Sequence, residues 1–326
     1  MFSDFLYAFG AVIPIFVVAL VGYLLKQKNF LTDEFVNICD KLVFRVMLPC
    51  LLFSNVAYIN IDRISADDVK TLVFCAVAAP AVTAVLMLVT PLFIKDRAKT
   101  GAFIQGVFRS NVAFLGIPFA TGLFGDDGTR LASIVLAVIV PIYNVLAVTV
   151  LCTFSADKEA TKKPLGARIK DIIVGIAKNP LVIAIVAALP FGFLGLNRYI
   201  PEFVTTSIQY FSKALTTLAL ITIGASFSFS ELKGRINIAA CAAFLKTVVL
   251  PAFFMFVSHQ LLGFEGVHLG IVLIVFGTPT AISSYIMAKN MHSDASLANQ
   301  IVLLSTLCCM FTIFFFSFAL RRMGLI

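Results

Sequence analysis

Two ten-residue stretches carry most of the polar chemistry of an otherwise apolar chain. They read Arg109-Ser110-Asn111-Val112-Ala113-Phe114-Leu115-Gly116-Ile117-Pro118 and Phe276-Gly277-Thr278-Pro279-Thr280-Ala281-Ile282-Ser283-Ser284-Tyr285. Each sets a Gly shortly before a Pro. Proline has no N–H and clashes with the carbonyl four residues back, while glycine accepts almost any backbone angle. A helix running through either stretch is therefore expected to unwind at Gly116, Ile117 and Pro118 and at Gly277 and Pro279, and to restart at the proline. Thr278 is a good N-cap for that restart and Ile117 a poor one. The start of a helix presents unpaired N–H groups and partial positive charge, so two such starts meeting in the middle of a membrane would make an anion site.

Charges buried in a membrane are expensive and normally paired or functional. The deep set expected here, Arg109, Lys213 and Lys246, contains no acid. A bound anion would supply the missing negative charge, most simply a carboxylate held by an arginine fork; the plainer alternative is that the lysines face polar groups or water elsewhere. Candidate substrate contacts are Arg109, Ser110, Asn111, Thr278, Thr280, Ser283, Ser284 and Lys246. Near the end of the second apolar run, Lys41, Arg45 and Lys178 of the sixth can snorkel to the interface, and Asp40 can pair with Arg45 or Lys41. Asp40 and Lys41 are the candidates for coupling to an ion. No rings of Asp or Glu suit a cation channel, and there is no phosphate-binding loop, no metal-type His or Cys spacing and no nucleophile–base pair, so a membrane enzyme is a remote alternative. No cofactor is expected beyond H+ or Na+ as coupling ion, and no metal.

The elements that would position these residues can be read from composition. Of 326 residues 60% are hydrophobic and 13% charged, against about 45–50% and about 25% in soluble domains, which reads as an all-α integral membrane protein. Seven cysteines in apolar runs read as buried small hydrophobes. Cutting at polar clusters leaves ten runs long enough to cross a bilayer, near 5–25, 34–57, 69–94, 101–124, 130–153, 172–195, 200–226, 236–262, 267–288 and 296–320. The first lacks the flanks of a cleavable signal and is expected to stay. Thirteen Lys and Arg fall in the loops after odd-numbered runs and six on the opposite side, which puts both termini outside. The net charge of +8 is thus a topology signal, with the bilayer and no nucleic acid as partner.

The basic stretch 154–171 separates five runs (1–153) from five (172–326). An odd number per half forces the second half to enter from the other face, giving two inverted five-helix repeats with broken, crossing helices 4 and 9. Prolines recur in matching order: Pro14 with Pro180, Pro80 with Pro251, and Pro118 with Pro279.

These residues resemble the auxin efflux carrier family, which includes plant PIN auxin exporters and prokaryotic permeases assigned to malate or malonate. Asn111 to Pro118 is similar to the family's first crossover, and Pro279 with Ala288-Lys289 to its second. Leu48-Pro49 with Leu51-Leu52-Phe53, Pro141-Ile142-Tyr143-Asn144, Lys178-Asn179-Pro180-Leu181, Gly224-Ala225-Ser226 and Leu250-Pro251 are further similar stretches, so the resemblance spans essentially the whole chain. It implies a scaffold of helices 1, 2, 6 and 7 and a transport domain of helices 3–5 and 8–10 that moves like an elevator. The chain lacks the long central loop of many plant members. The expectation is a secondary active (symporter) or facilitative carrier of a small organic anion in the cell (inner or plasma) membrane, as a homodimer. Its substrate would be a dicarboxylate such as malonate or malate, or an auxin-like carboxylate. A bile-acid or sodium/proton-type carrier with the same broken helices is the alternative.

Overall fold

The computed structural model describes residues 2–58, 64–155, 180–226 and 236–326, and these are all-helical, with one isolated β-bridge. In chain order the helices are α1 (Phe2–Gln27), α2 (Asp33–Leu42), α3 (Leu48–Ala57), α4 (Ala66–Phe93), α5 (Arg97–Phe108), α6 (Ile117–Thr153), α7 (Pro180–Phe193), α8 (Glu202–Ala225), α9 (Ile236–Phe244), α10 (Leu250–Leu262), α11 (Gly266–Gly277), α12 (Ser283–Asn290) and α13 (Ala295–Arg322). Four helical stretches among the described residues are long and apolar enough to cross a membrane: Ala66–Phe93, Val112–Thr153, Ile236–Leu262 and Ala295–Arg322. Gly125, at φ 61°, interrupts α6, so that Ile117–Thr153 is two helices joined at a bend. Lys178, Lys233, Arg235, Arg63 and the basic residues of 154–171 beyond Ser155 lie outside the described residues.

Side-chain caps fix where helices begin. Thr32, Asp96 and Asp294 each accept the N–H three residues on, and Ser65 with Asp68 forms a full capping box at α4. Asp68 also accepts Arg130 of α6 at 2.9 Å and lies 3.8 Å from His268 of α11, which ties three helices at one end.

Three prolines share one local device. Ahead of Leu48-Pro49, Ile117-Pro118 and Leu250-Pro251 the helix opens into a π turn, at Val43–Met47, Val112–Gly116 and Leu245–Val249. The N–H of Leu48, Ile117 and Leu250 reaches back five residues, to Val43, Val112 and Leu245. The wider turn relieves the clash between the proline ring and the carbonyl four residues earlier without ending the helix. Pro80 carries no such turn inside α4, so its pairing with Pro251 is not matched locally.

The core is one large cluster to which α5, α6 and α11 contribute most and to which α1, α3, α4, α8, α9, α10 and α13 also contribute, with smaller clusters beside it. Helices α1 and α8 meet backbone to backbone: a Cβ on Gly22 would lie 2.1 Å from the Ile221 carbonyl oxygen, and one on Gly224 1.7 Å from that of Ala19. Small residues allow this approach in membrane helices, where packing rather than hydrophobicity drives association. Of the seven cysteines, Cys39, Cys75 and Cys309 are buried as expected, but Cys241 is exposed, because α9 turns that face outward and an apolar medium accepts a thiol there.

Gly224→Ala is expected to force α1 and α8 apart at a cost of about 1–3 kcal/mol, read as a lower Tm of the detergent-purified protein. Gly10→Ala, with nothing within 4 Å of the added methyl, should leave Tm unchanged; equal effects of the two would refute the close contact.

Candidate functional site

The helices around the two polar stretches stop short of each other and cross. Helix α5 ends at Phe108 and α11 at Gly277, and the extended residues after them run antiparallel. Asn111 donates its N–H to the Pro279 carbonyl at 2.8 Å, and Ala281 donates to the Arg109 carbonyl at 3.3 Å. Ser110 and Thr280 thus face each other as the close, non-hydrogen-bonded pair of a two-residue sheet.

Helix ends leave carbonyls without partners, and in an apolar interior each orphan is costly. The repair here is reciprocal. Arg109 N–H bonds the Gln105 carbonyl and Thr278 N–H bonds that of Ile274, both at 3.1 Å, closing the last turns of α5 and α11. The next carbonyl on each side is taken by a hydroxyl from the other stretch: Thr280 Oγ1 donates to Gly106 O at 2.6 Å, and Ser110 Oγ to Val275 O at 2.5 Å. Thr280 N–H in turn donates to Ser305 Oγ of α13 at 3.0 Å.

Lys246, fully buried, enters from the π turn Leu245–Val249 and donates to Ser110 Oγ. Its ammonium therefore sits beside the carbonyl end of α11, where the helix dipole favours a cation. Tyr143 of α6 reaches both Ser110 Oγ and Val275 O at 3.4 Å. Successive side chains of an extended chain point to opposite sides, and Arg109 accordingly turns away from this cluster. Its guanidinium donates to Asn144 Oδ1 at 2.8 Å and to the Met287 thioether. Neither cation has an acidic partner among the described residues.

The helices restart with open N-termini. Among the described residues no acceptor takes the N–H of Val112, Ala113 or Phe114, or of Ile282 or Ser283. Three side-chain atoms around the crossing are also buried without a partner: Gln105 Oε1, Thr278 Oγ1 and Ser284 Oγ.

Arg109, Ser110, Asn111, Thr278, Thr280, Ser284 and Lys246 are all buried around this crossing, whereas Ser283 is exposed. The break in the first stretch is not where Gly116, Ile117 and Pro118 placed it. Those residues are helical, with Gly116 at φ −64°, ψ −44°, and the opening lies at Arg109–Asn111. The proline costs only a π turn there, because that wider turn already accommodates it. In the second stretch Pro279 does lie in the break, but Gly277 is still helical as the last residue of α11, the helix resumes at Ser283, and Thr278 closes α11 instead of capping α12. Lys213, midway along α8, is exposed and takes no part in the crossing. Asp40 is partly buried near Thr222 of α8, and Lys41 is exposed. Gln105, Tyr143, Asn144, Met287 and Ser305 were not among the candidates. Gln105, four residues before Arg109 on one helix face, is the member a periodicity argument reaches.

Comparison with known proteins agrees over nearly the full length. The family model described as membrane transport protein matches residues 7–317. An uncharacterized transporter of Methanocaldococcus jannaschii is 24% identical over 302 residues, covering 90% of this chain and 93% of its own. One from Methanothermobacter thermautotrophicus is 24% identical over 296 residues, covering 91% and 93%. The uncharacterized transporter YfdV of Escherichia coli is 24% identical over 302 residues, covering 90% and 93%.

Thr280→Val keeps the shape of the side chain and removes the donor to the Gly106 carbonyl. It is expected to cost about 1–3 kcal/mol for the orphaned group, read as a lower Tm in detergent. A Tm equal to that of the unaltered protein would show that the reciprocal caps contribute nothing.

Proposed function

Because the chain belongs to the membrane transport protein family, the auxin efflux carriers, we propose that it moves a small organic anion across the cell membrane. The observation that carries this reading is the buried crossing itself: two cations without acidic partners next to unpaired helix-start N–H groups. A carboxylate there would meet a guanidinium suited to hold it through two parallel hydrogen bonds and the positive ends of two half-helices. Asn111, buried beside the Val112–Phe114 N–H groups and not capping them with its side chain, is a natural second contact. Ser284 fits the same role from α12. Lys246 contributes positive potential while holding Ser110.

In this reading ten helices form two inverted five-helix repeats, and the reciprocal caps at Gly106 and Val275 support that symmetry, since equivalent carbonyls are repaired in equivalent ways. The transport domain, helices 3–5 and 8–10, carries the crossing past a scaffold of helices 1, 2, 6 and 7, whose close α1–α8 contact through Gly22 and Gly224 suits a rigid frame. Both termini lie outside, the assembly is a homodimer, and H+ or Na+ is the coupling ion if transport is driven. Asp40 at Thr222 is the titratable candidate for that coupling.

Thermal unfolding against malonate, malate and monocarboxylates tests the site first, because a ligand present at 100 times its Kd stabilises the folded state by about 2.7 kcal/mol. Arg109→Ala is expected to weaken binding about 10- to 100-fold, the equivalent of about 1.5–3 kcal/mol for a hydrogen bond to a charged group. It should also abolish uptake of the same anion into proteoliposomes. Full uptake by Arg109→Ala protein would overturn the reading.

A further inference from the structure

Arg109 and Gln105 stand four residues apart on one face, and both aim donors at the same atom. Arg109 Nη1 and, at 3.9 Å, Gln105 Nε2 point to the Met287 sulfur. A thioether is a weak acceptor, far below what a guanidinium normally finds when buried. Arg109 is 7% exposed and Gln105 not at all, so water does not make up the difference. Among the described residues two buried oxygens on the same helices also lack a partner: Gln105 Oε1, and Ser284 Oγ three residues before Met287 on α12. A guanidinium and an amide N–H thus converge on a sulfur where the chemistry of the two donors calls for an oxygen acceptor.

We propose that the Met287 thioether occupies the seat of a substrate carboxylate oxygen, and that Gln105 joins Arg109 as a substrate contact. The proposal rests on the anion reading and adds to it a ligand residue and a displaceable placeholder. Substrate entry swings the flexible methionine aside and exchanges a weak acceptor for a strong one. Asn144 keeps Arg109 in place meanwhile through its 2.8 Å bond. Methionine suits the task, since its unbranched chain repacks easily.

Placing the carboxylate on the protein itself tests this without knowing the substrate. Met287→Glu in the full-length purified chain is expected to unfold at the Tm of the unaltered protein or several degrees above it, and well below it when Arg109→Ala is also present; the double-mutant cycle isolates that coupling. A packing role alone would make the glutamate destabilising in both backgrounds. Equal loss of Tm, or failure to yield folded protein, with and without Arg109 overturns the proposal. Met287→Gln offers a neutral acceptor to the same donors and is expected to weaken malonate binding at least about tenfold relative to Met287→Leu, and Gln105→Leu to weaken it by a similar factor. A Met287→Gln variant that binds malonate like Met287→Leu overturns the proposal as well. Should no carboxylate shift the unaltered protein, the transport reading loses its ligand class, while the glutamate cycle still decides what the seat of Met287 accepts.

Discussion

In an apolar medium no backbone N–H or C=O can be left to water, and two helices that stop halfway through the fold must find partners for their exposed ends inside the protein. The crossing at Ser110 and Thr280 answers that constraint for the carbonyl ends and leaves the helix starts open. Each stretch supplies one backbone N–H and one hydroxyl to the other, and each hydroxyl goes to the first carbonyl beyond the last helical bond. Side chains from α6, α13 and the π turn Leu245–Val249 converge there as well. The rest of the core is arranged to hold two chain segments at this distance.

That arrangement separates two cations that look interchangeable in the sequence. Lys246 stands at the carbonyl end of α11, bonded through Ser110, where it offsets the negative pole of a helix. Arg109 projects to the other side of the same extended segment, against an amide oxygen and a thioether. A lysine there would bring a point charge; the guanidinium brings a planar fork with donors to spare after Asn144 is satisfied. The division of labour is between a charge that holds the crossing and a charge that remains under-partnered beside it.

Much of this was legible in the residues. Gly and Pro beside Ser, Thr and Asn in apolar runs marked both broken helices, and the absence of deep acids marked the unpaired cations. The sequence misplaced the first break because Pro118 reads as the stronger breaker. In the fold a π turn absorbs Pro118, while Arg109–Asn111, with no breaker of their own, open to pair with Pro279 and Ala281. That opening is a tertiary effect and has no local signal. Lys213 joined the same set as a lysine in an apolar run, yet α8 turns it outward, away from the crossing. Gln105, Asn144 and Met287 come from three helices and meet only when those helices pack.

The π turns connect the local and the distant scales. Pro251 denies α10 an ordinary last turn behind it, so the chain from Leu245 to Val249 widens by a residue. A widened turn rotates the side chains it contains relative to the α-helical register on either side. Lys246 lies in that turn, and its ammonium reaches Ser110; Ser110 in turn caps Val275. A proline on one helix thereby sets where a charge falls at the end of another, and the polarity of the crossing is fixed from outside the two helices that form it.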